Sequence, residues 1–336
     1  MANRPCRYKT IHIVMIVLAC VCLVVVACPS SWLGRELSTV IVLAQLLAFP
    51  YILGVGILVT SVAIILAHLS WTRGPLALAS IVMWAVVALA FFVFPYGLVP
   101  HPATPPTAKQ QRVLSVVTFN AGSTLTETGF QQINSNFEPD VLVLPETSAA
   151  EISRTLDVTG YDGTVFETPG VGFTQTYNGL IAPTTVVVSN KLGKVRPTIG
   201  PETSFGTVAI RFDDAALPIV VGVHTAPPLP GLMGAWEEDL ERVVHFGDSS
   251  EEPMLIAGDF NATLRHGALA NRSRLIDAQE LCSRWGMGTW DSRTPGILRT
   301  PIDHILVTSG IYVSSCQVAQ IGRSDHLAFG AQIIVP

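Results

Sequence analysis

Polar residues that could bind a metal ion or move a proton recur where apolar stretches of this chain end. Asn120 follows R-V-L-S-V-V-T-F, Glu146 follows D-V-L-V-L-P, and His224 closes P-I-V-V-G-V-H. Carboxylate and amide oxygens are hard ligands that suit Mg²⁺, and a histidine can take up or release a proton near neutral pH. This combination of residue types predicts metal-assisted chemistry on a phosphate group.

The second half of the chain carries more such groups at the same kind of position. Asp259 and Asn261 lie in G-D-F-N after M-L-I-A, Asp303 opens the run D-H-I-L-V, and Asp325 and His326 lie in S-D-H before the last apolar run. Taken singly, an Asp or Asn after a strand is usually a turn or cap residue. Taken together, the set predicts one cleft, because ligand-binding residues of layered α/β folds gather at strand ends.

Apolar runs separated by turn residues predict the elements that position these groups. The predicted strands cover 112–119, 140–144, 184–189, 206–212, 218–224, 254–258, 302–308, 311–318 and 326–335. The predicted helices cover 126–137, a segment from about Ser148, 233–246 and a segment near 274–284. Strand-rich stretches broken by isolated helices favour an α/β layered fold with mixed sheets.

The first third of the chain has a different composition. Residues 1–108 contain five basic side chains and one acidic side chain, whereas 109–336 contain 15 basic and 24 acidic ones, a net charge of −9. Uninterrupted apolar runs of 18, 31 and 25 residues occupy 11–28, 39–69 and 75–99. Since about 20 apolar residues span a bilayer, the runs predict three transmembrane helices, and Pro50, Gly54 and Gly56 predict that the second is one kinked or tilted helix.

These patterns divide the chain into a membrane domain (1–99), a proline-rich linker (100–111) and a globular domain (112–336). Basic residues precede the first span, and Arg73 lies between the second and third, which predicts a cytoplasmic N-terminus. Three spans then place the globular domain outside the cytoplasm, at the plasma membrane. The alternative is that Met1–Cys28 is a cleaved signal peptide, although the two following spans make cleavage unnecessary for anchoring.

Cys282 and Cys316 belong to the predicted globular domain, and the other four cysteines lie in or beside the first span. An extracytoplasmic location permits a disulfide between the two. Two separate buried thiols are the other possibility, and the sequence leaves both open. Nothing in the sequence indicates an obligate protein partner.

The ordered motifs resemble the endonuclease/exonuclease/phosphatase superfamily, which includes DNase-like nucleases, sphingomyelinases and inositol-polyphosphate phosphatases. The resemblance extends from about Arg112 to Val335, and G-D-F-N and the terminal S-D-H are its most specific motifs. It implies a four-layer α/β sandwich of two mixed sheets flanked by helices. The three predicted spans, H-T-A-P-P at 224–228 and G-T-W at 288–290 are most similar to the membrane-anchored actinobacterial branch that includes VanJ-type glycopeptide-resistance proteins.

The resemblance also implies a metal, Mg²⁺ or Mn²⁺, with Glu146 as its main ligand. Asn120 would assist at the metal and the phosphate, and Asp325 would be a further metal-binding or orienting group. Asn261 would hold a phosphate oxygen. Asn178 lies in the segment that occupies the place of the substrate loops of the DNA-cleaving members, and it is a candidate substrate contact.

Four residues would carry out proton transfer and charge stabilisation by the same resemblance. Asp259 would position or deprotonate the attacking water, and His224 would stabilise the transition state or protonate the leaving group. His326 would act as a base or bind the phosphate. Asp303 would orient one of the histidines, whereas its neighbour His304 points to the opposite face of the strand and is expected to be structural.

Three functions fit these observations: a hydrolase of membrane-associated phosphate esters, such as a phospholipid or polyprenyl diphosphate; a surface-tethered DNase-like nuclease; and an inactive, membrane-anchored binding module. The third is the weakest because no part of the motif set is missing. Nucleic-acid binding depends largely on Lys and Arg, so a net charge of −9 disfavours the second, although Arg265, Arg272 and Arg274 would form a local basic patch. A lipid-linked phosphate substrate in the bilayer is therefore expected.

Overall fold

The computed structural model describes residues 4–69, 75–95, 112–168, 181–282 and 287–335. The chain divides into two compact units. The helical unit consists of Met1–Val99 together with Leu264–Asn271, and the sandwich unit consists of Pro100–Thr263 together with Arg272–Pro336. The predicted linker 100–111 and Asn178 lie outside the described residues.

Helices make up the described part of Met1–Val99. They are α1 (Arg4–Ala27), α2 (Trp32–Ser38), α3 (Leu43–Ala48), α4 (Pro50–Leu69) and α5 (Pro75–Val93). The stretch predicted as one kinked or tilted helix is two helices: Phe49 leaves the helical conformation, and α4 begins at Pro50, where the missing N–H of proline costs no helical hydrogen bond. At Gly54 of α4, a Cβ would lie 2.9 Å from the Phe92 ring of α5, so glycine permits the close approach of these two helices.

Two helices of the described residues, Lys9–Ala27 and Pro75–Val93, are long and apolar enough to cross a membrane. The third span predicted at 39–69 is not shown in the same way, because this stretch is not one helix: α3 ends at Ala48, and the apolar part of α4 is the shorter Pro50–Ile64.

Strands of the sandwich unit form two sheets of six. The first has the order β11–β12–β1–β2–β4–β3 and the second the order β5–β6–β7–β8–β10–β9. Their bounds are β1 Arg112–Thr118, β2 Val141–Leu144, β3 Gly163–Glu167, β4 Thr185–Ser189, β5 Val195–Pro197, β6 Thr207–Phe212, β7 Ile219–His224, β8 Met254–Asp259, β9 Leu275–Asp277, β10 Asp303–Thr308, β11 Tyr312–Gln320 and β12 Leu327–Val335. The pairs β1–β2 and β7–β8 are parallel and the other pairs are antiparallel, so both sheets are mixed, as predicted.

The main core lies between the two sheets and includes Val116, Val143, Val220, Leu255 and Ile305. Helices cover the outer faces. These helices are α6 (Glu127–Phe137) and α7 (Ala149–Thr159), which pack with the first sheet, and α8 (Met233–Ser249), which turns its apolar face inward and leaves its glutamates outside. The four-layer α/β sandwich is thus confirmed.

The segment near 274–284 is not the predicted helix. Leu275–Asp277 forms β9, which pairs antiparallel with β10, and the helix that follows, α9 (Ala278–Leu281), has four residues. Asp277 caps this short helix by accepting a hydrogen bond from the Gln279 N–H. Pairing with a neighbouring strand overrides the local helical preference here.

The structure joins Cys282, directly after α9, to Cys316 in β11 through a disulfide bond. Their Cα atoms lie 6.0 Å apart, within the usual range for a disulfide. Of the two possibilities left open by the sequence, the structure therefore contains the disulfide. Such bonds persist mainly in oxidising compartments.

The topology brings the polar strand ends to one edge of the two sheets. Parallel pairing places the carboxyl ends of β1 and β2 side by side, and those of β7 and β8 likewise. Strand β10 runs antiparallel to β8, so that its first residue, Asp303, lies directly opposite Asp259. Strand β12 runs antiparallel to β1 and begins directly after His326. Residues far apart in sequence are thereby collected at this edge.

Candidate active site

Asp259 lies at the centre of the site and is 2% exposed. Its Oδ2 accepts a hydrogen bond from Asn120 Nδ2 at 3.0 Å, and its Oδ1 accepts one from the Asn261 N–H at 2.8 Å. The Nε2 atoms of His224 and His326 each lie 3.7 Å from the same Oδ2. One carboxylate is thus surrounded by an amide, a backbone N–H and two imidazoles.

Asn120 links Asp259 to Glu146. Its Nδ2 also donates to Glu146 Oε1 at 3.1 Å, and its Oδ1 accepts from the Gly122 N–H at 3.0 Å, which fixes the orientation of the amide. Glu146 has a φ of 56°, a left-handed conformation that is uncommon for a non-glycine residue. This backbone turns the carboxylate toward Asn120, and the partly exposed side chain stays open to a ligand.

His326 and Asp303 form a buried pair. His326 Nδ1 lies 2.8 Å from Asp303 Oδ2, so the ring is held with its Nε2 toward Asp259. The histidine that Asp303 orients, which the sequence left open, is therefore His326. This arrangement is that of a catalytic imidazole with an orienting carboxylate.

Burial and charge set the protonation of this pair. Desolvation opposes the charge on His326, but the carboxylates of Asp303 and Asp259 outweigh it and raise the pKa of His326 to about 10. Burial, followed by repulsion from Asp303, raises the pKa of Asp259 above its ordinary value. Near neutral pH in the metal-free site, His326 therefore carries a positive charge next to two buried carboxyl groups.

His224 differs from His326 because burial dominates. Desolvation lowers the pKa of His224 to about 4, although Asp259 favours the charged form. The ring packs edge-on against Phe205, and its Nδ1 is buried without a hydrogen-bond partner among the described residues. The two histidines of the site therefore differ in charge near pH 7: His224 is neutral and His326 is protonated.

Asn261 lies in the turn after β8 with a φ of 47°. Its Nδ2 donates to the Thr225 carbonyl at 2.9 Å, and Thr225 Oγ1 donates to the Phe260 carbonyl at 2.5 Å. Thr225 therefore holds this turn from the neighbouring strand end. No sequence signal points to Thr225 beyond its place next to His224.

Asp325 is not brought into the acidic cluster. Its side chain is 43% exposed, its Oδ2 accepts a hydrogen bond from the Trp290 indole N–H at 3.1 Å, and Arg293 Nη2 lies 4.0 Å from it. The backbone of Trp290 also forms a bridge with His326. Trp290 was singled out only as part of the G-T-W cue, and its place beside the S-D-H motif is a structural finding.

His304 has the structural environment expected for it. Its Nδ1 lies 2.7 Å from Asp277 Oδ2, and its Nε2 donates to the Ala262 carbonyl at 2.8 Å. Because successive side chains of a strand point to opposite faces, this buried pair is separated from the pair formed by Asp303 and His326.

The donor set fits a divalent cation. Ligand atoms of Asp259, Asp303 and His326 lie within 4.8 Å of one another, and Asp303 Oδ1 is a buried atom without a hydrogen-bond partner among the described residues. A buried acceptor without a partner costs free energy, which a bound cation or water would recover. The cluster does not include the predicted ligands Glu146 and Asn120. The amide of Asn120 nevertheless connects Glu146 to Asp259, a member of the cluster.

The site is thus a buried cluster of two carboxylates and one histidine at the shared edge of two mixed sheets, in which one carboxylate orients the histidine, as expected for a phosphoester-cleaving α/β sandwich. Residues 117–326 match the model of the Endonuclease/Exonuclease/phosphatase family. The chain belongs to this family, whose members are hydrolases that act on phosphoester bonds.

Solved structures share the fold at low identity. D. rerio TDP2 complexed with single strand DNA product is 16% identical, with 66% of this chain and 98% of that chain covered and a TM-score of 0.51. An endonuclease/exonuclease/phosphatase from Beutenbergia cavernae DSM 12333 is 18% identical, with 67% and 72% covered and a TM-score of 0.51. A family protein from Bacteroides thetaiotaomicron is 12% identical, with 68% and 99% covered and a TM-score of 0.51.

At these identities the likeness shows the fold alone. A search of the curated proteins gives no match. The assignment to the VanJ-like branch therefore stays a prediction from the sequence motifs.

Proposed function

We propose that the protein is a membrane-anchored, metal-dependent phosphohydrolase that acts outside the cytoplasm on a lipid-linked phosphate ester or diphosphate of the cell envelope. The observation that carries the proposal is the site itself, in which Asn120, Glu146, His224, Asp259, Asp303 and His326 converge. The same chain has two helices that could cross a membrane. A substrate that resides in the bilayer accounts for both features.

The residues of the site have different roles in phosphate cleavage. When bound, Mg²⁺ or Mn²⁺ would supply Lewis-acid stabilisation of charge on a phosphate oxygen, and Glu146, Asn120 and Asp303 are the groups that would hold it. The Asp259 carboxylate orients the attacking water and accepts its proton. His326, charged near pH 7, stabilises the negative phosphate, and neutral His224 donates a hydrogen bond through its ring.

Surface charge supports a lipid-linked substrate over a nucleic acid. The basic patch suggested by the sequence is not present as such: Arg265 is 1% exposed and belongs to the helical unit, and Arg272, which is only partly exposed, forms an ion pair with Glu280. Arg211 is likewise paired, with Glu252. Since nucleic-acid affinity comes largely from Lys and Arg that are available to neutralise phosphates, the paired arginines add to the objection from net charge.

The disulfide supports the extracytoplasmic location. Two spans would return the sandwich unit to the side of the N-terminus, which the basic residues place in the cytoplasm, where disulfides are rare. Three spans would put Cys282 and Cys316 in an oxidising compartment, which suits the disulfide between them. The proposal therefore includes α4 as a third span.

A reporter fused after Pro336 is expected to report a location outside the cytoplasm, because three spans put the two ends of the chain on opposite sides of the membrane. A second fusion at Arg73, between α4 and α5, is the matched control and is expected to report the cytoplasm. Alkaline phosphatase and a fluorescent protein serve as the paired reporters. A cytoplasmic signal from the fusion after Pro336 would overturn the three-span topology.

Phosphate release by the detergent-purified full chain tests the substrate class. We expect Mg²⁺-dependent turnover of undecaprenyl diphosphate or of a phospholipid, no nicking of plasmid DNA in the same buffer, and loss of turnover with EDTA, because the acidic cluster alone repels a phosphate. The Asp259→Asn variant is the blank. Nicked plasmid with untouched lipids would make the protein a surface-tethered nuclease, and inactivity on all three substrates would favour a binding module.

A further inference from the structure

Helix α8 carries a buried carboxylate that is not among the predicted site residues. Asp239 is 1% exposed. The Ser204 N–H lies 3.0 Å from each of its oxygens, and Ser204 Oγ donates to Oδ1 at 3.0 Å. Its Oδ2 also accepts a hydrogen bond from the Ala226 N–H at 2.8 Å. One side chain of the helix therefore binds two separate loops of the sandwich unit.

The two loops meet beside His224. Strands β6 and β7 are antiparallel neighbours, so the start of β6 and the end of β7 lie side by side. The Phe205 N–H donates to the His224 carbonyl at 3.2 Å, and the His224 N–H donates to the Gly206 carbonyl at 2.9 Å. Ser204 directly precedes Phe205, and Ala226 belongs to the motif H-T-A-P-P that begins at His224. Asp239 thus holds the chain on both sides of this histidine.

Backbone pairing fixes the main chain of His224 but not its ring. The ring Nδ1 is buried and makes no hydrogen bond within the part of the chain that the structure describes. The Phe205 ring packs against the imidazole instead, with the ring centroids 4.9 Å apart and an angle of 83° between the planes. Edge-to-face contacts of this kind have a preferred geometry. The position of Phe205 therefore constrains the orientation of the imidazole, whose Nε2 lies 3.7 Å from Asp259 Oδ2.

The donors around Asp239 account for its burial. A carboxylate is costly to bury unless hydrogen bonds satisfy it, and hydrogen bonds to an ionised acceptor are stronger than those between neutral groups. Two backbone N–H groups and one hydroxyl supply these bonds. A side chain with fewer acceptor oxygens would leave at least one buried donor without a partner, which costs free energy. Asp239 is therefore a strong link between α8 and both loops.

A second aspartate of α8 makes the same kind of contacts at the opposite edge of the sheet. Asp248 accepts hydrogen bonds from the N–H and Oγ of Ser273 at 2.7 and 2.9 Å, and from the N–H groups of Arg274 and Leu275 at 2.8 and 3.1 Å. Leu275 begins β9, which pairs with the end of β10 that is remote from Asp303. The helix therefore offers a matched carboxylate whose contacts are far from the site.

We infer that Asp239 is a positioning residue for His224: by holding Ser204 and Ala226 it keeps Phe205 against the imidazole, and so keeps Nε2 directed into the site. The inference rests on the proposed hydrolase and deepens it, because it makes a helix residue outside the cleft part of the support for one imidazole. It also assigns a function to the H-T-A-P-P motif, in which the Ala226 N–H is the point of attachment to α8.

Kinetics of the full chain in detergent test this role, with Mg²⁺ and with undecaprenyl diphosphate and bis(p-nitrophenyl) phosphate as the probes. Asp239→Asn keeps the size of the side chain but leaves one acceptor oxygen, so it cannot hold both loops. The variant is expected to lower kcat by roughly 10²-fold, the effect of a displacement of about 1 Å at a reacting group, with KM within about threefold. Asp248→Asn is the matched control and is expected to lose stability without a change in kcat.

A double variant tests whether Asp239 acts through His224. If it does, Asp239→Asn combined with His224→Gln is no slower than His224→Gln alone, because the effects of residues that act as a unit are not additive. Phe205→Leu removes the ring contact directly and is also expected to lower kcat, which keeps the role testable if Asp239→Asn does not fold. Multiplied effects in the double variant, or unchanged kcat in folded Asp239→Asn or Phe205→Leu protein, would overturn the inference.

Hydrogen exchange tests the inference without any activity. In Asp239→Asn, the amides of residues 204–206 and 224–226 are expected to exchange at least about tenfold faster, while those of 273–275 stay protected, because local opening is confined to the segments that lost their partner. Asp248→Asn is expected to give the reverse pattern. Unchanged exchange at 204–206 in Asp239→Asn would show that Asp239 does not hold Phe205.

Failure of the proposed hydrolase has a different signature. An unmodified protein that hydrolyses neither probe would refute the proposed function, whereas the exchange pattern of Asp239→Asn would still decide whether this carboxylate holds the two loops. An active unmodified protein whose Asp239→Asn and Asp248→Asn variants lose equal stability and both keep full kcat would refute the positioning role alone.

Discussion

The Asp259→Asn variant is expected to lower kcat for phosphate release by about 10³-fold or more, while the protein remains folded. The carboxylate is the acceptor for the proton of the attacking water, and a positioned general base accounts for rate factors of about 10²–10⁴. Asparagine has nearly the same shape but cannot accept that proton, so that the loss reports chemistry rather than packing.

Stability is expected to change little in this variant. One amide oxygen can still accept the hydrogen bond from the Asn261 N–H, and the loss of the second acceptor is offset because repulsion between the buried carboxyl groups of Asp259 and Asp303 disappears. Thermal unfolding followed by circular dichroism measures this, and Asp213→Asn, at an exposed position, is the matched control with full activity. A folded Asp259→Asn protein with normal turnover would show that the site is wrongly assigned.

The Asp303→Asn variant is expected to lower kcat on the order of 10³-fold, because the orientation and protonation of His326 depend on Asp303. The carboxylate of Asp303 is the strongest influence that raises the pKa of His326. Without it, that pKa is expected to fall toward the ordinary value for histidine. NMR titration of His326 in metal-free protein measures this change independently of turnover.

The neighbouring pair provides a matched control on the same strand. His304 and Asp277 form an equally buried contact, so Asp277→Asn is expected to lower the free energy of unfolding by about 3 kcal/mol, the usual cost of breaking a buried ion pair, and to leave kcat of the folded protein within about threefold. Urea denaturation and initial rates on the same samples distinguish the two variants. Equal effects of Asp303→Asn and Asp277→Asn on kcat would refute separate roles for the Asp303–His326 pair and the His304–Asp277 pair on opposite faces of β10.

Local patterns in the sequence were sufficient for the fold class and for most of the strands. Apolar runs and turn residues are patterns of neighbouring residues and can be read directly from the sequence. The ends of β1, β7 and β8 were therefore predicted to within one or two residues. The short strand β3 was not predicted, because Gly163–Glu167 has little apolar periodicity of its own and is defined by its pairing with β4. The apolar lengths of α1 and α5 were also visible directly.

Residue types at strand ends determined which groups could form a site, but tertiary structure decided how they pair. The sequence contained both Asp303 and His304 and could not show that His326 is the partner of Asp303, because the two residues are 23 apart in the chain, lie at strands of different sheets and meet only when the sheets pack. Tertiary contacts also decided protonation: burial lowers the pKa of His224, whereas for the likewise buried His326 the carboxylates of Asp303 and Asp259 outweigh burial and raise the pKa.

The largest difference concerns Arg265. In the sequence it is one of three arginines near the G-D-F-N motif and suggests a basic surface patch. In the structure it is buried among helix ends that lie more than 150 residues earlier in the chain. Composition and spacing determined that this chain combines apolar helices with a phosphoesterase sandwich. Only long-range packing decided that the segment 264–271 belongs to the helical unit, because the carbonyls that Arg265 binds exist as a group only once those helices have folded.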